Sequence, residues 1–277
     1  TLKDYEGAAE WLRSGTGNAV DVNDLDIKRS LRIAVEHFMI PDAKTTEETE
    51  LAAQAEAAYN GFVYDATHKK KCIIFTNSRD TAEEVIRNMR RIAAQRNDRD
   101  VFYVHHGSIS AALREEAEFA LREGTGPAVS AATLTLDLGI DIGGMDRTLQ
   151  IGAPYSASSF VQRLGRSGRR GNAAEMIFVS AEEFDDMAAL PAKIPWTLLR
   201  SIAVIELYLK EKWVEPIIEK KMPMGLLYHQ TMSILKSHTN MLPQDLAKEV
   251  LLLPPFEAPF RNGLFVTCWP FAESRME

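Results

Sequence analysis

Four arginines and three glycines lie within ten residues of the sequence, in QRLGRSGRRG at positions 162–171. An arginine side chain ends in a planar, permanently charged fork that matches the oxygens of a phosphate. Glycine has no Cβ, so the backbone around it can come close to a ligand. If the stretch is helical, Arg166 and Arg169 lie one turn apart on one face and can converge on one phosphate. The alternative interpretation is a solvated basic helix end with flexible glycines.

The composition requires any contact with an anion to be local. The chain of 277 residues has a formal net charge of -7 and a pI of about 5.5, which argues against broad coating of nucleic acid. Cys72 and Cys268 are far apart and have no metal-binding spacing, so we expect reduced thiols. The sequence has neither a signal segment nor a run of eighteen apolar residues, and we expect a cytoplasmic protein.

Candidate strands and helices alternate over most of the chain. Apolar strand candidates are followed by segments with helical spacing, which predicts an α/β fold with a parallel sheet covered by helices on both faces. Ligands bind such sheets outside the carboxyl ends of the strands. The segments TNSR, HHGSIS, TLTLDLGID and the arginine stretch each follow a strand candidate, so the sequence predicts that all four share one edge of the sheet.

The pattern changes after Phe184. WTLLRSIAVIELYLKEKWVEP predicts an amphipathic helix, and a helix-turn-helix pattern follows, with Pro243 opening its second helix. These segments indicate a small helical region that resembles a winged helix. We expect Trp196, Tyr208 and Trp213 to pack in a core or a domain interface, and Arg147 to be a surface charge.

Four segments resemble the motifs of one protein family, in that family's order. QRLGRSGRR (162–170) resembles motif VI of the superfamily 2 helicases, ATLTLDLGIDIG (132–143) resembles motif V, and CIIFTNSRD (72–80) resembles motif IV. YVHHGSIS (103–110) resembles the segment that follows motif IV. The resemblance covers about residues 65–185 and is nearest to the DEAD/DEAH-like helicases of the large helicase-related group. It implies a RecA-like sheet.

The resemblance also implies roles for individual residues. Arg166 and Arg169 match arginine fingers, which reach across an interdomain cleft to the γ-phosphate of ATP and stabilise charge during phosphoryl transfer. The positions matching the ATP ribose and the nucleotide-coupling contacts are Gly139, Asp141, Gln162 and Arg163. The positions matching the path of the nucleic-acid strand are Thr76, Ser78, Arg79, His106, Gly107, Ser108 and Thr133.

Structural interpretations remain open for several of these residues. Asp141 could cap the turn that follows it, and the Thr133 hydroxyl could bond a neighbouring backbone group. His105 has no partners with metal-binding spacing and is expected to be structural. His106, beside Gly107, fits a backbone contact and a structural role about equally.

The sequence contains no phosphate-binding loop of the form GxxxxGK[ST] and no acidic motif for magnesium. In the resembling family, the first RecA-like domain holds ATP and Mg²⁺. TLKDYEGAAEWL resembles the end of that domain, so we expect residues 1–20 to be its remnant. We expect the second RecA-like domain at 21–190 and the helical accessory region at 191–277.

These expectations describe the C-terminal part of an ATP-dependent DNA helicase or translocase that is inactive as an isolated chain. The expected partners are single-stranded or partly duplex nucleic acid and the first RecA-like domain of the same protein. The alternatives are part of an RNA helicase, or a non-catalytic nucleic-acid-binding or docking module. A dinucleotide-binding oxidoreductase is disfavoured because no GxGxxG opens a helix after the first strand.

Overall fold

A computed structural model describes residues 30–136, 142–168, 173–216, 223–238, 240–253 and 256. Its main feature is a six-stranded parallel sheet in the order β1-β6-β5-β2-β4-β3. The strands are β1 (Leu31–Pro41), β2 (Lys71–Phe75), β3 (Phe102–His105), β4 (Ala128–Ala132), β5 (Arg147–Ile151) and β6 (Ala174–Phe184). The helices are α1 (Thr46–Thr67), α2 (Arg79–Arg96), α3 (Ala111–Arg122), α4 (Ala157–Leu164), α5 (Leu190–Lys193), α6 (Trp196–Glu211), α7 (Met224–Ser237) and α8 (Pro243–Leu251). The predicted RecA-like α/β fold is confirmed.

The sheet is buried on both faces. Neighbouring residues of β2 point to opposite sides, with Ile74 among the side chains of α1 and α2 and Ile73 beside Leu121 of α3. On the same face as α3, Phe160 of α4 and Val204 of α6 pack on β6. Burial on two faces accounts for the nearly continuous apolar sequence of β2, KCIIF.

Local sequence sets where the helices begin and end. Thr45 and Glu48 form a capping box at the start of α1, with Glu48 N donating to Thr45 Oγ1 at 3.2 Å and Thr45 N donating to Glu48 Oε2 at 2.8 Å. Helix α2 ends at Asn97, whose φ of 54° is left-handed. Within the described residues, no helix has both the length and the hydropathy of a membrane span.

The chain divides into two compact units at Glu215 and Pro216. Helix α6 belongs to the sheet unit, because Val204 and Ile205 are buried there and the Tyr208 ring meets the Phe160 ring edge-on, with centroids 5.5 Å apart. The sequence predicts this division at residue 190, before α6 begins. In the second unit, α7 and α8 pack around Val250, and the winged-helix interpretation stays a prediction. Residues 1–20 lie outside the described part.

Arg147 is not the surface charge that the sequence predicts. Its side chain is 15% exposed, and its guanidinium donates to Glu175 Oε1 at 2.7 Å and to the Ala66 carbonyl at 2.6 Å. Lys70 lies 3.3 Å from the other oxygen of the same carboxylate. The Arg147 guanidinium beside Glu175 holds the pKa of that carboxyl below its usual value, although partial burial opposes this.

We expect Glu175→Gln to lower the free energy of unfolding at pH 7 by about 1–2 kcal/mol, because it removes a charge-assisted hydrogen bond. Since the folded pKa of Glu175 is lowered, its contribution is present above the unfolded pKa and is lost as the pH falls through the folded value. The variant should therefore lose less of its free energy of unfolding than the parent chain does when the pH falls below about 5. Thermal unfolding across this range tests this, with the exposed Glu116→Gln as control. Equal acid sensitivity of both variants and the parent would contradict it.

Candidate functional site

The loops after β2, β3 and β4 are neighbours at the carboxyl edge of the sheet. Phe75 of β2 and His105 of β3 both pair with Ala132 of β4, so the three strands end level with one another. Segments 76–79, 106–110 and 133–136 therefore leave the sheet side by side. The sequence predicts that four polar segments share one edge, and the structure places these three there.

The loop after β2 is shaped by its own hydroxyl groups. Thr76 is 1% exposed, and its Oγ1 donates to the Ser78 carbonyl at 2.8 Å. Ser78 Oγ accepts a hydrogen bond from Thr81 N at 3.0 Å and so begins helix α2 as its N-cap. The buried Thr76 hydroxyl thus holds the loop, while Ser78 and Arg79 lie at the surface.

Arg79 joins this loop to the one after β3. Its guanidinium donates to the hydroxyl of Ser108, and both residues are exposed. Gly107, next to Ser108, is also exposed, and a Cβ built there would meet no atom within 4 Å. An accessible cation, a hydroxyl and an open stretch of backbone are the groups that proteins use to contact phosphates.

His106 and His105 lie beneath these loops. His106 is 2% exposed, with Nε2 3.0 Å from Glu83 Oε1 and Nδ1 accepting from Ser108 N at 3.3 Å. His105 is equally buried, with Nε2 2.8 Å from Glu118 Oε1 and Nδ1 2.9 Å from the Thr135 hydroxyl. Both rings hold the loops in place. Thr133, which the sequence also predicts to lie on the strand path, follows β4 and is half-buried.

The arginine segment lies at the opposite, amino edge of the sheet. Helix α4 starts at the carboxyl edge and runs back along the strands, so its end meets the beginnings of β5 and β6. There Met145 N donates to the Arg166 carbonyl at 3.3 Å, and Ser167 Oγ accepts from Glu175 N at 3.0 Å. The prediction of one shared edge is wrong for this segment, because the connecting helix returns it across the sheet.

Arg166 does not lie on a helix: α4 ends at Leu164, and Gly168 has a φ of 74°, which turns the backbone after Arg166. Arg169 lies outside the described residues, so the convergence of Arg166 and Arg169 on one phosphate stays a prediction. A Cβ at Gly168 would lie 2.4 Å from Ala174 N, so only glycine fits the turn without displacement. The positive φ and the close approach to β6 explain this glycine.

Arg163 lies in the interior of the unit. It is fully buried, its Nη1 donates to Gln150 Oε1 at 2.5 Å, and its guanidinium stands 5.0 Å from the centroid of the Phe75 ring. Arg166 is 9% exposed and Gln162 is half-buried. Gly139, Asp141 and Arg169 lie outside the described residues.

Two contacts of α4 were not foreseen from the sequence. Gln150 is fully buried in β5, whose sequence RTLQI gives no signal that this amide accepts a hydrogen bond from Arg163. Glu215 accepts hydrogen bonds from Ala157 N at 2.7 Å and Ser158 N at 2.8 Å, and so caps α4 from far along the chain. Burial opposes its ionisation, but the backbone donors outweigh it, and the Glu215 pKa lies below its usual value.

Residues 54–171 match the family model described as "Helicase conserved C-terminal domain". Residues 54–171 are thus the part of this chain that matches a helicase C-terminal domain, and we call that part the helicase C-terminal domain. Over 170 residues the chain is 31% identical to the ATP-dependent helicase Lhr-Core of Sulfolobus acidocaldarius, covering 61% of this chain and 19% of that protein. Over 126 residues it is 36% identical to the Lhr-Core helicase of Methanothermobacter thermautotrophicus, covering 43% of this chain and 14% of that protein. The match thus spans less than a fifth of either relative.

A solved structure, the Mycobacterium smegmatis helicase Lhr bound to ssDNA and AMP-PNP, resembles 94% of this chain and 32% of its own chain. The TM-score is 0.69 at 20% sequence identity, which shows a shared fold. On this fold, the segment that resembles motif IV ends at the carboxyl edge of the sheet, and the described part of the segment that resembles motif VI reaches the amino edge.

We expect Gly168→Ala to destabilise the helicase C-terminal domain by about 1–3 kcal/mol, because a Cβ at positive φ is strained and meets the backbone of Ala174. Gly107→Ala is the matched control, since its Cβ would point into open space. Thermal unfolding of both variants tests the expectation. Equal melting temperatures for the two would contradict the packing argument.

Proposed function

We propose that this helicase C-terminal domain is the second RecA-like half of an ATP-dependent DNA helicase or translocase. The observation that carries the proposal is the contact between Arg79 and Ser108, which unites two exposed loops into one surface at the carboxyl edge. That surface suits the sugar-phosphate backbone of a single strand. We place the protein in the cytoplasm and favour DNA over RNA as the nucleic acid.

The grip on the strand uses two kinds of residue. Ser78, Arg79, Gly107 and Ser108 contact phosphates, since their polar groups lie at the surface. Thr76 and His106 are positioning residues, because their side chains are buried and bonded to the loops themselves. Thr133 extends the surface along the end of β4. Binding of this kind is weakly dependent on sequence and sensitive to salt.

In this proposal, the residues at the amino edge of the sheet contact the nucleotide. Arg166 and Arg169 act as arginine fingers on the γ-phosphate, with Gly139 and Asp141 near the ribose and Gln162 in the interdomain contact. Support comes from the backbone of this segment, which is fixed by Met145 on one side and by the packing of Gly168 on Ala174 on the other. Arg166 is 9% exposed, so its guanidinium must turn outward when the two halves close.

ATP and Mg²⁺ belong mainly to the first RecA-like domain in this proposal. No cluster of three potential metal ligands occurs in the part of the chain that the structure describes, and the sequence has no phosphate-binding loop. When bound, the metal ion would neutralise charge on the phosphates. This chain's own contribution is positive charge from its arginines at the moment of transfer. The chain alone should therefore hydrolyse no ATP at an appreciable rate.

Removal of a finger should abolish turnover in a helicase that joins this chain to its nucleotide-holding domain. We expect Arg166→Ala to lower the ATPase kcat by about 10³–10⁵-fold, with a much smaller change in KM for ATP. Arg166→Lys, which keeps the charge but loses the planar fork, should recover little of the rate. The exposed Arg87→Ala on α2 is the control. Full activity of a correctly folded Arg166→Ala protein would contradict the assignment.

Loss of the Arg79 charge should weaken the grip on the strand. We expect Arg79→Ala to reduce the affinity of the chain for single-stranded oligonucleotides and to lower the salt slope of log K by about one. Fluorescence anisotropy at several salt concentrations measures both, again with Arg87→Ala as control. Parallel titrations with DNA and RNA of one sequence test the preference for DNA. An unchanged salt slope would show that Arg79 contacts no phosphate.

A further inference from the structure

A groove of about 780 Å³ lies beside the proposed strand surface and has no role in the function given above. Helices α1 and α2 form one wall, α6 forms the other, and the ends of β5 and β6 form the floor. We call it the α1–α6 groove. Its volume is within the range of about 300–1,000 Å³ that small-molecule sites occupy.

The groove is continuous with the loop after β2. Asn77 and Thr81 line it, and they flank Ser78 and Arg79, which belong to the proposed strand surface. Asn77 Nδ2 donates to the Ala153 carbonyl at 2.9 Å, which fixes the loop against the floor. A strand whose phosphates lie at Arg79 therefore has this groove within reach of its bases.

An exposed aromatic residue stands on the α6 wall. Trp196 is 60% exposed, and its indole N–H donates to the Pro191 carbonyl at 2.9 Å, which orients the ring. Trp196 therefore does not pack in a core, and the other expectation for it, a domain interface, stays a prediction. Arg200, one turn further along α6, stacks its guanidinium over the Tyr155 ring at 5.7 Å. Exposed aromatic faces and stacked guanidinium groups are the surfaces on which unpaired bases stack.

The opposite wall offers carboxamides in a fixed arrangement. Asn88 Nδ2 donates to Asn60 Oδ1 at 3.2 Å, and Asn60 Nδ2 donates to the Glu56 carbonyl at 2.9 Å. Asn60 is 8% exposed, so this pair is built into the wall rather than attached to the surface. Carboxamides combine a donor and an acceptor on one plane, which matches the edges of nucleobases.

The charges of the groove exclude a phosphate as its occupant. Glu56, Glu84 and Glu183 line it against two guanidinium groups, those of Arg91 and Arg200, so the carboxylates outnumber the cations. The Tyr59 hydroxyl stays protonated, because burial and the nearby Glu84 raise its pKa. An uncharged, flat ligand with hydrogen-bonding edges satisfies this lining, whereas an anion would be repelled.

We propose that the α1–α6 groove receives an unstacked nucleobase of the single strand held at the carboxyl edge, with Trp196 as its stacking surface and Asn88 at its edge. The inference rests on the proposed function, since it requires a strand bound at Arg79. It adds a contact to the bases, whereas the other contacts proposed for this domain are to the backbone.

The test compares an oligonucleotide with bases to one without. We expect Trp196→Leu in the 277-residue chain to weaken binding of a twelve-nucleotide oligodeoxyadenylate by roughly 5- to 100-fold. The same variant should bind a twelve-unit strand of abasic tetrahydrofuran nucleotides as well as the parent chain does. Arg79→Ala should weaken binding of both strands. Tyr228→Leu, which removes another exposed aromatic ring, is the matched control.

The outcomes separate the two proposals. Equal binding of oligodeoxyadenylate by Trp196→Leu and the parent chain overturns the base groove and leaves the proposed function standing. An equal loss on the abasic strand also overturns it, because it assigns Trp196 to the backbone. If the folded parent chain binds neither strand, the proposed function fails and the base groove fails with it. Asn88→Leu, checked for folding by circular dichroism, should lower the affinity for the base-containing strand alone.

Discussion

The architecture of this helicase C-terminal domain depends on a charge buried in its interior. Arg163 is fully buried between α4 and the sheet, where Gln150 accepts its hydrogen bond and the Phe75 ring faces its guanidinium. A buried cation is costly unless every donor is satisfied, so α4 has little freedom to move while this contact persists. Helix α4 carries the arginine segment, and Arg163 therefore fixes where that segment emerges. Glu215 holds the other end of the same helix through two backbone N–H groups.

The two ends of α4 lie at different edges of the sheet, so this helix connects the proposed strand surface with the proposed nucleotide surface. The carboxyl edge carries the loops proposed to hold a strand, and the amino edge carries the arginine segment. Phe75 touches Arg163 and directly precedes Thr76, the residue that shapes the loop after β2. In the proposed function, a displacement of the arginine segment would therefore be felt at the loop after β2 through the packed side chains of Arg163 and Phe75. Rigid elements with buried contacts at both ends are suited to carry such coupling.

Much of the fold follows from the sequence because its signals are local. Apolar runs of four or five residues predict β2 and β4, and Ser78 and Asn97 bound α2 through capping chemistry. The shared carboxyl edge of three loops follows from parallel topology. The position of the arginine segment does not, because Gln162 and Arg163 give a helical pattern but not the point at which the helix ends. The turn that follows the helix depends on Gly168, whose close approach to Ala174 no local pattern reveals.

Side-chain burial is the other property that spacing cannot predict. Thr76, His106 and Arg163 occupy motif positions, yet their side chains face inward and bond to protein groups. Arg79 and Ser108 in the same motifs face outward. A segment that resembles a motif therefore combines residues whose side chains face solvent with residues whose side chains hold the loop in place. Trp196 shows the opposite relation, because its side chain is exposed although it lies outside every motif. Its position beside the loop after β2 depends on the packing of α6 on β6. Sites formed by such packing are visible only in three dimensions.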